Sequence, residues 1–491
     1  MTAQTILFII LAYFTMLMFI AFLGRKETSN TAFFLGNKKS PWYVVSFGML
    51  GASLSGVSFV SVPGWVGSSG FTYMQMVLGF SCGYIIVAKI LLPIYYRLNV
   101  TSIYEYLQTR FGITSYKTGT LFFLLSRTIG GATRLYIVAL ILQTLVFEAW
   151  DIPFFVTVLL LIVPIYLYTF INGIKTIIWT DALQTFFLLG ALILLVVQAC
   201  DMLNFNFDSA FSAIKGSHFS QIFVFDDWKT SSNFFKMFLS GVFVTIAMTG
   251  LDQDMMQKNL SCKNLKEAQK NMYYYGFAFI PINLIFLSLG ALLLMLAQQY
   301  NIVLPTHSDE ILPTLVSQGF LGEWAMFFFV IGIISATFSS ADSALVSLTT
   351  AFSVDILEVN KKSEKSAKRI RKVVHISICL CFALIVLLFR TINNKNIIDL
   401  LYTIASYTYG PLLGLFAFGI FTKKGLRDKY VPFIAIASPI ICYALQLSCK
   451  NFLNYNFGYE LLIVNGFFTF VGLLAISKKK NRLAFNTNIH F

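Results

Sequence analysis

An aspartate lies among hydroxyl side chains in a strongly apolar segment, within the stretch SATFSSADSALVS at residues 335–347. At about 100° per residue, one face of a helix would carry Ser335, Ser339, Asp342 and Ser343. Oxygen ligands suit hard cations, a preference that Na⁺ shares with Ca²⁺ and Mg²⁺. Interhelical hydrogen bonding by small polar residues is the alternative. A buried charge within an apolar span is costly and usually functional, so Asp342 favours an ion or proton site.

A second aspartate, Asp181, lies in the stretch IIWTDALQ near the start of another apolar segment. Its neighbours Trp179 and Lys175 are residue types that are common where a helix leaves the membrane. On position alone, we therefore expect Asp181 to be an interfacial acid.

Glycine and proline interrupt the apolar segment SFGMLGASLSGVSFVSVPGWVG. Its helix-breaking residues are Gly48, Gly51, Gly56, Pro63 and Gly64. Its hydroxyl side chains are Ser53, Ser55, Ser58 and Ser61. A locally unwound helix frees carbonyl groups that bind cations. The alternative is a continuous kinked helix that packs closely at its glycines.

Two arginines, Arg127 and Arg134, lie two turns apart on one face of the stretch LLSRTIGGATRLYIVALIL. A buried arginine is suited to bind the carboxylate of a ligand, and equally to pair with a neighbouring acid. A further stretch, TIAMTGLDQDMMQK at residues 245–258, contains Thr249 and Gly250 at a second candidate break. We expect its acids and its terminal lysine to lie near the inner membrane face.

The composition identifies a membrane protein. Of 491 residues, 57% are hydrophobic and only 12% are charged, about half the charged fraction of soluble domains. The mean hydropathy is +0.74. A membrane span needs about 20 apolar residues. The predicted spans are roughly 3–23, 42–66, 71–96, 118–148, 153–172, 178–202, 234–257, 272–299, 323–353, 373–390, 398–421, 430–449 and 459–477.

The distribution of lysine and arginine predicts the orientation of these thirteen spans. With the N-terminus outside, 27 of the 36 basic residues fall in inner segments, 6 fall outside or at outer helix ends, and 3 lie within helices. This asymmetry follows the positive-inside rule and predicts that the C-terminus is inside. The net charge of +14 therefore reflects topology, and we expect no nucleic-acid partner.

Enzymatic and metal-site chemistry have little support in this sequence. The seven cysteines are scattered without a CxxC pair, so a metal site or a disulfide framework is not expected. The histidines fall in loops, at a span end or in the tail, at His218, His307, His375 and His490. No Ser/His/Asp set is convincing, and we expect neither an enzyme nor an organic cofactor.

Three stretches together resemble the sodium/solute symporter family: LPIYYRLNVTSIYEYLQTRFG, IIWTDALQ and SATFSSADSALVSL. The likeness extends from about residue 24 to residue 430. It implies an all-α, LeuT-type core of two inverted five-helix repeats, at about 42–202 and 234–421, within one transporter domain at 1–491. An extra N-terminal helix at 1–23 and two C-terminal helices at about 430–477 would flank the core.

The resemblance also implies sites for sodium. The family's main sodium site corresponds here to Gly51, Leu54, Ala336, Ser339 and Ser340. A further cation site, present in some members, corresponds to Asp181, Ser339, Asp342 and Ser343. This implication reverses the interfacial interpretation of Asp181. Asp342 replaces a serine of such members, so it could tighten a second sodium or carry a proton instead.

The substrate residues follow most closely the sialic-acid-transporting branch of the family. The implied set is Ser53, Ser55, Ser58, Arg134, Arg127, Thr245 and Met248. The match is incomplete, because both arginines are about one turn out of register. In addition, Val77 replaces a glutamine of that branch, and Met248 and Thr249 replace an aromatic pair of sugar-transporting members.

These inferences predict a sodium-coupled symporter in the plasma membrane, or the inner membrane of a bacterium. It would import a small organic solute, such as an organic anion or a sugar acid like sialic acid, by alternating access. Sugars, amino acids, monocarboxylates and inorganic anions are alternative substrates. A channel, a uniporter and a transporter-like sensor are more distant alternatives. The expected partners are the substrate and the lipid bilayer, with no obligate protein partner.

Overall fold

The computed structural model describes residues 3–23, 29–226, 230–322, 324–392, 397–453, 455 and 457–479. His490 lies outside these residues. Helices dominate the described chain, which also contains one antiparallel pair of two-residue strands, β1 (Gly425–Leu426) and β2 (Ser477–Lys478). The fold class is therefore all-α, as the sequence predicts.

The first ten helices are α1 Ala3–Leu23, α2 Asn30–Leu35, α3 Trp42–Ser53, α4 Gly56–Ser69, α5 Tyr73–Ile86, α6 Leu92–Leu98, α7 Glu105–Arg110, α8 Ile113–Leu142, α9 Phe154–Asn172 and α10 Ile174–Met202. The other ten are α11 Phe207–Gly216, α12 Phe234–Thr245, α13 Gln253–Leu260, α14 Leu265–Gln299, α15 Ile311–Ser317, α16 Ala325–Ala351, α17 Glu364–Ile392, α18 Ile397–Phe421, α19 Val431–Leu453 and α20 Leu461–Ala475. Single π-helical turns extend four of the long helices, at Val87–Leu91, Gln143–Phe147, Ile246–Gly250 and Phe352–Ile356.

The apolar helices coincide with the predicted spans. Among the described residues, 9 helices are long and apolar enough to cross a membrane, and 2 bent pairs pass the same test together. Two shorter apolar helices, Phe154–Phe170 and Leu461–Ala475, complete the correspondence. Each predicted span thus has a helical counterpart. The inside and outside assignment of their ends and the boundaries of the two repeats remain predictions.

Two of the spans are broken near their middle. The axes of α3 and α4 differ by 62°, and those of α12 with its π turn and α13 differ by 65°. At the first break, Leu54 leaves the helical region with φ −82° and ψ 82°, and Ser55 is extended. The last carbonyls of α3 therefore lack a continuing helical turn that would donate to them. The sequence signal for a locally unwound helix is borne out at Leu54–Ser55, in preference to a continuous kink.

Helix α16 contacts both broken pairs. It packs against α3 and α4 of the first pair and against α13 of the second. Its largest contact is with α10. Its polar stretch is fully enclosed, because every residue from Phe329 to Ala351 except Ile331 is buried. The stripe of hydroxyls around Asp342 therefore faces protein on all sides. In the interior of a membrane helix bundle, other protein groups can stabilise such polar side chains.

Candidate functional site

The carboxylate of Asp181 lies at the centre of a buried polar cluster between α10, α13 and α16. Asp181 is completely buried. The Ser339 hydroxyl donates a hydrogen bond to Asp181 Oδ1 at 2.6 Å, and Ser343 donates to Oδ2 at 3.4 Å. When the oxygen and nitrogen of the Gln184 side-chain amide are exchanged, its NH₂ group donates a hydrogen bond to Asp181 Oδ1 at 3.2 Å. The interfacial interpretation of Asp181 from its position alone is therefore wrong.

A buried lysine completes this cluster. The ammonium of Lys258, on α13, lies 2.7 Å from Asp181 Oδ2, and its side chain is 1% exposed. An ammonium taken from water is stabilised in the protein interior only by a well-placed counter-charge. Asp252, Asp254 and Lys258 are all buried in the protein, so they are not solvent-exposed groups; their predicted position near the inner membrane face stays a prediction.

Asp342 faces a different partner. The hydroxyl of Tyr168, on α9, donates to Asp342 Oδ2 at 2.8 Å, and the backbone N–H of Ser343 donates to Oδ1 at 2.5 Å. Tyr168 and Asp342 are both buried. The structure thus brings Asp181, Ser339 and Ser343 into contact, whereas the Asp342 carboxylate is held by the neighbouring helix α9.

The two elements that carry the predicted main sodium site pack against each other, because α16 contacts α3 and α4 on either side of the first break. The backbone N–H of Gly51 donates to Thr185 Oγ1 at 3.0 Å, which ties the end of α3 to α10. The backbone at Gly56 approaches α16 so closely that a methyl group there would lie 2.3 Å from Thr337 Oγ1. Ser340 Oγ donates to the carbonyl of Thr337 at 2.9 Å. Freed carbonyls at the end of α3 and hydroxyls of α16 are the donor chemistry that a sodium ion requires.

A single cavity lies beside the first break and contains every residue of the predicted substrate set. Its lining includes Ser53, Ser55, Ser58, Arg127, Arg134, Thr245 and Met248. The lining also includes Leu54 of the predicted sodium site. The aromatic residues of this lining are Tyr73, Phe80, Tyr84, Tyr275, Phe279 and Tyr409. A cavity with apolar walls and a few convergent polar groups is typical of a small-molecule site.

Two tyrosines order the hydroxyls on one wall of this cavity. Ser53 Oγ and the hydroxyl of Tyr275 are 2.6 Å apart, and the hydroxyls of Tyr275 and Tyr84 are 2.9 Å apart. Thr245 Oγ1 is buried and has no hydrogen-bond partner among the residues that the structure describes. A buried hydroxyl without a partner is costly, so a polar ligand group at this wall would be stabilised.

Arg127, on α8, lies against two acidic side chains. Arg127 pairs with Asp254 through Nη2 and lies 3.9 Å from Asp252 Oδ2 through Nη1. The hydroxyl of Tyr409, on α18, donates to the same oxygen of Asp252. Of the two roles that the sequence left open for these arginines, Arg127 takes the pairing with neighbouring acids. It connects the cavity wall to α13.

Several contributing residues escaped the sequence analysis. Nothing in the sequence spacing of Lys258 shows that it reaches Asp181. The sequence analysis does not single out Tyr168 or Tyr275. Their polar ends are visible in the sequence, since a buried tyrosine hydroxyl usually has a partner, but the identity of that partner depends on helix packing. Among the described residues, no group of three or more His, Cys, Asp or Glu side chains could hold a metal ion.

Broken apolar helices beside a cavity with a few polar groups are typical of a multi-pass membrane transporter. The sequence profile of the sodium:solute symporter family matches residues 33–427. The chain belongs to the sodium:solute symporter family. It is therefore a sodium-coupled solute symporter of the plasma membrane, or of the inner membrane in a bacterium, and not an enzyme, as the sequence predicts.

Similar proteins agree with this assignment. The chain is 24% identical to the sodium/sialic acid symporter SiaT of Proteus mirabilis, with 90% of this chain and 89% of the relative covered. It is 25% identical to the sodium/sialic acid symporter NanT of Aliivibrio fischeri, with 94% and 90% covered. A solved sodium-coupled sialic acid symporter in a substrate-bound outward-open state aligns with a TM-score of 0.80 at 21% identity, over 97% of this chain and 99% of that one. The nucleobase-cation symporter Mhp1 aligns with a TM-score of 0.55, and both structures share the LeuT-type fold.

Proposed function

We propose that this symporter imports a sugar acid of the sialic acid type together with sodium, by alternating access. The observation that carries the proposal is the cavity at the first helix break, which is lined by Ser53, Ser55, Ser58 and Arg134. Hydroxyls suit the polyol part of such a substrate, and a guanidinium suits its carboxylate. The names of the two similar bacterial symporters support the same substrate class.

Sodium would bind where α16 meets the break. We assign the main site to Gly51 and Leu54, through their backbone carbonyls, and to Ala336, Ser339 and Ser340 of α16. An ion there would bridge α3 and α16, because neither element alone supplies enough oxygen ligands. Substrate would bind next to this bridge, since Leu54 lines the cavity. Binding of both solutes would then stabilise the same arrangement of the broken helix, which is the basis of coupling.

Uptake into proteoliposomes tests the substrate class. With sodium high outside, we expect radiolabelled sialic acid to rise above its equilibrium level and then decline as the gradient dissipates. The same experiment in potassium controls for sodium dependence. Uptake that never exceeds equilibrium would identify a uniporter or a channel and contradict symport.

Competition separates the alternative substrates. The same sodium-driven uptake is measured against excess unlabelled sugars, amino acids, monocarboxylates and inorganic anions. Because ligands that bind the folded state stabilise it, a thermal-stability screen of the same compounds gives an independent ranking. If a monocarboxylate competes better than sialic acid, the substrate is a monocarboxylate instead. Two other relatives are named sodium-coupled monocarboxylate transporters.

A further inference from the structure

The cation that accompanies Asp181 is supplied by the protein itself. We propose that the ammonium of Lys258 permanently occupies the second cation position, so that this symporter binds only the sodium of its main site. This inference rests on the proposed sodium-coupled function and concerns how many sodium ions take part. It requires no particular substrate.

The contacts of Asp181 support this assignment. Its two oxygens accept hydrogen bonds from the Ser339 hydroxyl at 2.6 Å and the Ser343 hydroxyl at 3.4 Å, and the Lys258 ammonium forms an ion pair with Oδ2 at 2.7 Å. These are the same serines that the family resemblance assigns to a second sodium. An ammonium at this distance from the carboxylate occupies the place where a sodium ion would be neutralised. Lysine and sodium therefore compete for one site.

The enclosure of the lysine makes its occupancy persistent. Both charged side chains are almost completely buried, at 1% exposure each. If one partner of a buried ion pair is removed, the other charge is left uncompensated in a medium of low polarity, which is strongly unfavourable. A sodium ion could enter only if Lys258 moved into water. Its helix, α13, packs against α2, α3, α10, α14 and α16.

The remaining charges around the cluster agree with a single resident cation. The groups that face Asp181 are Ser339, Asp342 and Ser343 from α16, Lys258 from α13 and Gln184 from α10. The Asp342 carboxylate accepts hydrogen bonds from Tyr168 and from its own helix. The ammonium of Lys258 lies against Asp181, whereas the Asp342 carboxylate is stabilised separately by the hydroxyl of Tyr168 and the N–H of Ser343.

Equilibrium binding of ²²Na⁺ to the purified, detergent-solubilised protein tests the inference without any transported substrate. We expect about one sodium per native chain. In Lys258→Met, which has a similar length and no charge, we expect one additional sodium per chain because Asp181, Ser339 and Ser343 become available. Lys258→Arg retains a cation and should bind the native number.

A double variant keeps the test decisive if Lys258→Met is poorly folded. In Lys258→Met/Asp181→Asn both charges are removed, and we expect a folded protein that again binds the native number. Gel filtration of each variant reports folding independently of sodium. An unchanged sodium count in folded Lys258→Met would overturn the inference, as would a native chain that binds two sodium ions and loses one in Asp181→Asn. If the native chain binds none but Lys258→Met binds one, the lysine assignment stands and the main-site assignment fails.

Discussion

Two serines one position apart on α16 have clearly different environments. Ser339 donates to Asp181, whereas Ser340 donates to a carbonyl of its own helix. An intrahelical bond of this kind leaves the hydroxyl oxygen able to coordinate an ion. The two residues can therefore serve one sodium ion from adjacent positions, with Ser339 connecting that ion to the charge of Asp181.

Loss of either hydroxyl should weaken sodium binding. In Ser339→Ala and Ser340→Ala, we expect the sodium concentration for half-maximal uptake to rise at least about tenfold, which corresponds to about 1.4 kcal/mol. Sodium titration of initial uptake rates provides the measurement. Ser347→Ala is the matched control, because Ser347 also donates to a carbonyl of α16 and is buried, but lies two turns further along. Unchanged sodium activation in both serine variants would refute the main-site assignment.

Arg134 is the arginine that we assign to the substrate. Loss of a charged hydrogen bond costs about 2 kcal/mol, so Arg134→Ala should lower the affinity for sialic acid by about 30-fold. Sodium binding in the absence of substrate should stay unchanged. Arg134→Lys, which retains the charge but not the bidentate geometry, should lie between the two. Competition binding measures all three proteins, and an unaltered affinity in Arg134→Ala would remove this residue from the site.

At the scale of elements, the first broken helix is positioned by close backbone contacts. The end of α3 meets α10 at Gly51, where an added methyl group would lie 2.2 Å from Thr185 Oγ1. The start of α4 meets α16 in the same way at Gly56. These contacts fix the break between two long helices. The glycines therefore set the distance between the carbonyls of α3 and the hydroxyls of α16.

Gly51→Ala should separate these elements. We expect it to cost about 1–3 kcal/mol of stability, as overpacking usually does, and to weaken sodium activation more than stability alone would explain. Thermal unfolding with and without sodium measures both effects. Gly190→Ala, on the same helix as Thr185, is the control, because no atom lies within 4 Å of the position of its added methyl group. A Gly51→Ala protein with native stability and sodium response would contradict this account of the break.

Local features of these elements could be predicted from the sequence, whereas contacts between distant helices could not. Apolar length and glycine placement are local properties, so the spans and the break at Leu54 could be predicted. Residues three or four positions apart lie on the same face of any helix, so the polar stripe of α16 could be predicted as well. The pairs Lys258–Asp181, Tyr168–Asp342 and Arg127–Asp254 could not be derived in this way. Each joins helices that are distant in sequence, and charge alone does not say which acid a base will meet.

At the scale of the whole molecule, the orientation in the membrane remains a prediction from charge. In a background with the seven cysteines replaced by serine, Lys365→Cys should react with a membrane-impermeant maleimide only after the membrane is opened. Lys215→Cys should react in intact cells. Both native side chains are exposed in the structure, so accessibility to the reagent depends on the side of the membrane. The reverse labelling pattern would overturn the N-out, C-in arrangement.

The ion pair between Lys258 and Asp181 has a consequence for the voltage across the membrane. A lysine moves with the protein and returns with it, so it carries no net current over a full cycle. One sodium and one monovalent carboxylate then cross together, and their charges cancel. The roughly 2.3 kcal/mol that each translocated charge gains per 100 mV is not available to such an electroneutral cycle. Cells without a membrane potential but with an intact sodium gradient should therefore still concentrate the substrate. The substrate concentration ratio should not exceed the outside-to-inside concentration ratio of sodium.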